Sequence, residues 1–170
     1  MAQLFNGRYT AQIEGDFVVF LIGMRINQLW AVHKWGPVSA AMPRMLRELM
    51  RNRALGLLHV QSCVMGRSVI GIQYWRNFEQ LHAYAHMRDA AHLPAWTAFN
   101  RRSRDNSAVG IFHETYLVRA GEYECVYKDM PRMGLARAAE MVPATGRLRS
   151  AKTRLGQEDT EKPLEYEQKV

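Results

Sequence analysis

Cysteine is scarce. Two residues, Cys63 and Cys125, in a chain of 170 exclude a disulfide framework and a Cys-rich zinc module. Free thiols fit a reducing cytosol. Long apolar runs are also missing. The strongest, Phe17–Met24, meets Arg25 and Asn27 at once, whereas a spanning helix needs about 20 apolar residues. Met1–Asp16 carries no basic region leading into an apolar stretch and a small-residue cleavage site. The expectation is a cytoplasmic chain with no membrane span. No GxGxxG, P-loop, HExxH or GxSxG pattern occurs, which removes the common nucleotide, zinc-protease and serine-hydrolase signatures. Acidic residues are nearly absent from one region. Between Pro131 and Gly156, Glu140 alone stands against Arg132, Arg137, Arg147, Arg149, Lys152 and Arg154. No aromatic residue interleaves with those charges, so the stacking platform of a single-strand binder is lacking and no nucleic-acid partner is expected. The segment reads as a solvated tail.

What remains is ordinary globular material. Hydrophobic residues make up 48% and charged residues 23%, and 23 Lys and Arg outnumber 16 Asp and Glu for a net charge of +7. Wholesale disorder is excluded. The length predicts one domain with a tail, long enough to bury a core without staples. We place the domain over 1–140 and a basic, then polar, extended tail over 141–170.

Patterning predicts the elements. Phe17–Asn27, rich in Val, Phe and Ile, reads as a buried strand. Pro37 suits a helix start. Val38, Met42, Met45, Leu46 and Leu49 then share one face of a helix ending near Asn52, with Pro43 either kinking it or marking its true start. Leu55–Met65 and Ser68–Trp75, joined by Gly66-Arg67, predict an antiparallel hairpin. Asn77 caps a helix over 78–88 with Phe78, Leu81 and Ala85 on its core face. A second helical piece runs from Leu93 to Arg104, started by Pro94. Val109–Val118 is a strand, Ala120-Gly121 a turn, and Tyr123–Tyr127 a short last strand. The fold class is therefore α+β, a ferredoxin-like βαββαβ order with an extra C-terminal strand. Helices on one face leave the other bare, which predicts a homodimer packed through it.

Few constellations could carry chemistry. His82 and His86 are i, i+4 on a helix, a spacing that suits one metal, with Asp89 as a third ligand. The pair alone is a weak signal, and no metal is expected. His92 precedes Leu93-Pro94-Ala95-Trp96, where a proline-fixed turn can hold the ring. A neutral imidazole there can take a proton or ligate haem iron, or it can simply bond to backbone. Asn27 at a strand end can donate to an oxyanion, and Arg25 can pair with a phenolate or carboxylate. The alternatives are a turn cap and a surface ion pair. Met24, Met42, Met45, Met65, Tyr74 and Trp96 suit an adaptable apolar pocket or simply a core.

Several motifs together carry a resemblance. Phe17–Asn27, the run Lys34-Trp35-Gly36-Pro37-Val38, the run Gln73–Leu81, His92–Trp96 and Tyr127–Leu135 resemble the family named after the fumagillin-pathway monooxygenase. The resemblance covers roughly Asp16 to Ala138. It implies a dimeric α+β barrel related to antibiotic-biosynthesis and haem-degrading monooxygenases, with a pocket in each subunit between sheet and helices. The activity it implies is a monooxygenase acting on an apolar or aromatic small molecule without a cofactor. The alternatives are a haem-binding or haem-degrading member and a non-catalytic ligand-binding dimer. His92 would be the acid/base group, and Asn27 and Trp75 would stabilise an oxyanion. Arg25, Trp35, Tyr74, His86, Trp96 and Phe99 would line the substrate pocket.

Overall fold

Alternating apolar residues make strands here, and one long apolar stripe makes a helix that covers them. The computed structural model describes residues 2–87 and 107–160. In chain order the strands are β1 (Phe5–Gln12), β2 (Phe17–Ile26), β3 (Leu57–Met65), β4 (Ser68–Trp75), β5 (Val109–Val118), β6 (Tyr127–Met130) and β7 (Glu140–Pro143). The helices are α1 (Val32–Arg51), α2 (Phe78–His86), α3 (Leu135–Ala138) and α4 (Ala151–Arg154). The chain divides into two compact units. One is Phe17–Leu117, and the other joins the residues up to Asp16 with those from Val118 onward.

The first unit holds a four-stranded sheet in the order β3-β4-β2-β5. The predicted hairpin is present, antiparallel, with Met65 paired to Ser68. Its turn uses Gly66 at φ +58, a left-handed conformation that a side chain would oppose. Val18, Phe20, Ile22 and Met24 of β2 stand beside Trp75, Gln73, Gly71 and Val69 of β4. Strand alternation puts all eight on one face. That face meets the helices. Val18 and Trp75 join Met45 and Leu49 of α1, Leu57, and Leu81 and Tyr84 of α2 in one core cluster. Complete burial of a side chain such as Leu49 contributes about 1.5–3 kcal/mol. The opposite face carries Val19, Leu21, Ile70, Ile72 and Tyr74, all half-buried. This is the ferredoxin-like α+β arrangement expected from the element order. Gly23 is fixed by packing. A Cβ there would collide with the Phe112 ring and come within 3.0 Å of the Val69 carbonyl oxygen.

Both helices depart from expectation, α1 in where it starts and α2 in which face it buries. α1 begins at Val32, five residues before Pro37, so Pro37 and Pro43 both lie inside it. Each proline leaves a carbonyl four residues back without its usual donor. The apolar stripe begins only at Val38, and the exposed first turn gave no periodic signal. The start is held instead by buried Ala31 and by the Trp35 indole, whose Nε1 donates to the Leu29 carbonyl at 3.1 Å. Asn77 caps α2 as expected, its Oδ1 accepting from the Gln80 amide at 2.8 Å. The buried face of α2 is Leu81 and Tyr84, however, and Phe78 and Ala85 are exposed. The Tyr84 hydroxyl donates to the Glu48 carboxylate of α1 at 2.9 Å, which sets that phase.

The second unit was the less legible one. β1, where no strand was expected, is the middle of a three-stranded sheet in the order β6-β1-β7, antiparallel to both neighbours. The last strand expected at Tyr123–Tyr127 is displaced to β6. Tyr123 acts by its side chain instead, its hydroxyl accepting from the Ile13 amide at 2.9 Å. The domain boundary expected at 140 falls inside β7, where Met141 is buried, as is Ala144 just beyond the strand. Nor is the basic stretch an extended solvated tail. Ser150 caps α4 by accepting from the Thr153 amide at 3.2 Å. The Arg154 side chain is 6% exposed and pairs with Glu124. Its Nη1 also donates to the carbonyls of Leu148 and Arg149 at 2.7 and 2.8 Å. Counting charge concealed this, because a buried arginine and a solvated one read alike in sequence.

Candidate functional site

A cavity of about 610 Å³ lies in the first unit between α1 and the sheet. Pockets of roughly 300–1,000 Å³ suit small organic ligands. Its floor is the sheet face described above, with Ile22 and Met24 of β2, Val69 and Gly71 of β4, Ser62 of β3 and Ile111 of β5. Its roof is α1 from Val38 to Met50. Gly71, on the chamber face, leaves room that a larger residue would fill. Four methionines, Met24, Met42, Met45 and Met50, give walls that can re-form around different apolar shapes. The polar lining is sparse: Ser39, Ser62 and Arg47. Ser39 Oγ donates to the Met24 sulfur at 3.5 Å, a weak acceptor that a ligand oxygen can displace. The tether beyond the cavity is Tyr84. Its phenol is held well above the usual tyrosine range, first by burial and then by the Glu48 carboxylate.

The residues singled out from sequence are distributed differently. Trp75 is buried in the core, its Nε1 donating to Gln73 Oε1 at 2.8 Å. Gln73 is also buried, and its Nε2 has no partner among the described residues. Asn27 Oδ1 accepts from Arg25 Nη1 at 2.6 Å, and its Nδ2 donates to the Ser107 carbonyl at 2.8 Å. Asn27 therefore ties the end of β2 to the approach to β5. Trp75 pairs with Val18, nine residues before Asn27. At ~3.3 Å per strand residue the two stand roughly 30 Å apart. The structure does not bring Asn27 and Trp75 to one oxyanion. Trp35 bonds to the loop before α1, and Tyr74 points to the sheet face away from the cavity. His86 is exposed on α2, its Nδ1 2.8 Å from the His82 carbonyl oxygen. Arg25, Trp35, Tyr74 and His86 are not among the lining residues described. His92, Trp96 and Phe99 lie outside the described residues, as does Asp89.

Of the pocket candidates, Met24, Met42 and Met45 do line the cavity, whereas Met65 is exposed. The signal that could have found the rest was the stripe Val38, Met42, Met45 and Leu46. It read as one core face, and it is partly the wall of a void. Among the described residues no group of three His, Cys, Asp or Glu could hold a metal ion. Haem requires an axial ligand, and no His, Cys or Tyr is among the described residues lining this cavity, so these residues do not by themselves fit it. Among the described residues no helix is long and apolar enough to cross a membrane.

The fold and the cavity define a ferredoxin-like α+β domain with an apolar chamber between sheet and helix. The chain belongs to the monooxygenase af470-like family, whose model matches residues 17–135. It is 29% identical to monooxygenase af470 of Aspergillus fumigatus over 196 aligned positions, which take in 94% of this chain and 70% of that protein. Among solved structures, aldoxime dehydratase superposes with a TM-score of 0.61 at 18% identity, over 85% of this chain and 45% of its own. That likeness shows the fold alone. SnoaB, a cofactor-independent oxygenase from Streptomyces nogalater, aligns over 61% of this chain and 94% of its own, with a TM-score of 0.44 and 14% identity.

Proposed function

We propose that the protein is a monooxygenase of the antibiotic-biosynthesis type, acting without a cofactor on an apolar or aromatic small molecule held between α1 and the sheet. The observation that carries this reading is the chamber itself, which lies wholly within the stretch that matches the monooxygenase family. Its lining is mostly apolar, and a ligand seated against it would displace water, which favours substrate-derived radical chemistry over side reactions. In such chemistry a base takes a proton from an activated CH₂ group. The carbanion passes an electron to O₂, and the two radicals combine into a peroxide. Loss of water then leaves a carbonyl, so one oxygen atom stays and the other departs as water. His92 is the proposed base. Ser39 and Ser62 are the hydroxyls that reach a ligand oxygen in the chamber. The assembly proposed is a cytoplasmic homodimer joined through the Val19, Leu21, Ile70 and Ile72 face.

The test is oxygen uptake with anthrone-type and naphthol probes, with ¹⁸O₂ label followed into product. His92→Ala should slow turnover by ~10²-fold, and Met42→Trp, which puts a bulky ring into the chamber between α1 and the sheet, should slow it too. Full turnover by a folded Met42→Trp variant would show that the chamber is not the site. A Soret band in purified protein would replace this reading with the haem alternative. Probe binding with no oxygen uptake would leave a ligand-binding domain.

A further inference from the structure

The chamber has a single charged lining residue among those described, and it is a cation. Arg47 lines the cavity and is exposed, which places it at the mouth. Its methylene stem adds to the apolar wall, and its guanidinium stays in contact with water. It has no ionic or hydrogen-bond partner among the described residues. The one acid of α1, the neighbouring Glu48, is engaged by the Tyr84 hydroxyl at 2.9 Å. At the other end of the roof sits Ser39, eight residues from Arg47. At 1.5 Å per helical residue that is ~12 Å along the helix axis. Between them run Met42, Met45, Leu46 and Ile22, all apolar.

We infer that the chamber takes a carboxylic acid with an extended apolar body. The carboxylate sits on the Arg47 guanidinium, and the body lies along the methionine wall toward Ser39. A guanidinium fork matches a carboxylate with two parallel bonds, and an alcohol or an amine offers no such match. The inference rests on the preceding assignment of the chamber as the ligand site, and it adds the class of ligand.

The experiment is displacement of a neutral fluorescent probe, N-phenyl-1-naphthylamine, at low ionic strength. The competitors are lauric acid, 1-dodecanol and dodecyltrimethylammonium, each below its micelle-forming concentration. Lauric acid should compete best. Arg47→Gln should weaken lauric acid about tenfold, the size of one lost charge-assisted contact, and leave dodecanol within about twofold. Retained probe binding shows that the variant's chamber is intact. Arg44→Gln removes the same charge from the same helix outside the lining and should change neither competitor. Equal competition by acid and alcohol in the wild type would overturn the inference while leaving the chamber as a ligand site. Equal losses in Arg44→Gln and Arg47→Gln would overturn it too, since a helix-wide field would then explain the preference. Failure of the probe and every competitor to bind wild type would overturn both this inference and the chamber assignment.

Discussion

Replacing Arg154 by Met tests whether the basic C-terminal stretch is part of the folded structure. The side chain is 6% exposed, and its partner Glu124 is 29% exposed. Breaking a buried ion pair by removing one member costs roughly 3–5 kcal/mol, because the other charge is stranded. Glu124 keeps some contact with water, which lowers the figure to about 2–3 kcal/mol. The carbonyls of Leu148 and Arg149 also lose their guanidinium donor, although water can reach carbonyls freed near a surface. For a chain of this length each kcal/mol moves the melting temperature by about 2–4 °C, so a fall of roughly 4–12 °C is expected. Circular dichroism at neutral pH reads it directly. A second variant carrying Glu124→Gln with Arg154→Met removes the stranded charge and should recover part of the loss. An Arg154→Met melt within about 1 °C of wild type would refute the reasoning, since only a solvated tail loses its arginine at no cost.

Three further outcomes are expected. Tyr84 titrates higher in the folded chain than its ordinary 10.0, so the folded state holds that proton longer than the unfolded one. Its contribution is complete below pH 10 and is lost as pH rises past it, and Tyr84→Phe should remove that part of the alkaline slope in urea titrations. The same variant should cost ~1–2 kcal/mol at neutral pH through the lost bond to Glu48, and an unchanged urea midpoint would contradict this. Gly23→Ala should destabilise by ~1–3 kcal/mol, because the Val69 carbonyl cannot move aside as a side chain can; chemical denaturation measures it. Ile72→Lys places a charge on the proposed dimer face and should shift sedimentation from dimer to monomer, whereas a wild-type monomer at micromolar concentration would remove the basis of the dimer proposal.

The sequence made the central sheet easy to read. Ser68–Trp75 matches a strand end for end because alternation, a glycine turn and the Asn77 cap all agree there. β1 was invisible because Phe5–Gln12 mixes Asn, Gly, Arg and Gln with its apolar residues, and its pairing is wholly non-local. The chamber was half legible. Methionines at helical spacing announced an apolar face, but periodicity cannot tell a face that packs from a face that bounds a void. Asn27 and Trp75 misled for a different reason. Residue types suited to an oxyanion gave no account of register, and register sets them at opposite ends of β2. Gln73, buried with an unpartnered amide nitrogen, carried no sequence signal at all, since its place in a strand looked like ordinary alternation.

The pairing of β1 has a consequence for synthesis. This strand leaves the ribosome well before its partners; the Gly7 amide meets the Asp129 carboxylate across 122 residues. At 5–20 residues per second it waits roughly 6–24 s for them. During that interval both its edges are open to other strands. The Phe17–Leu117 unit, whose strands pair with one another, emerges in full meanwhile. The nascent chain therefore carries a finished centre beside an unpaired strand, and β6 and β7 close on it only once they too have emerged. A chaperone that shields extended segments would act on this protein at β1, and a circular permutant that puts β1 next to β6 in synthesis would need it least.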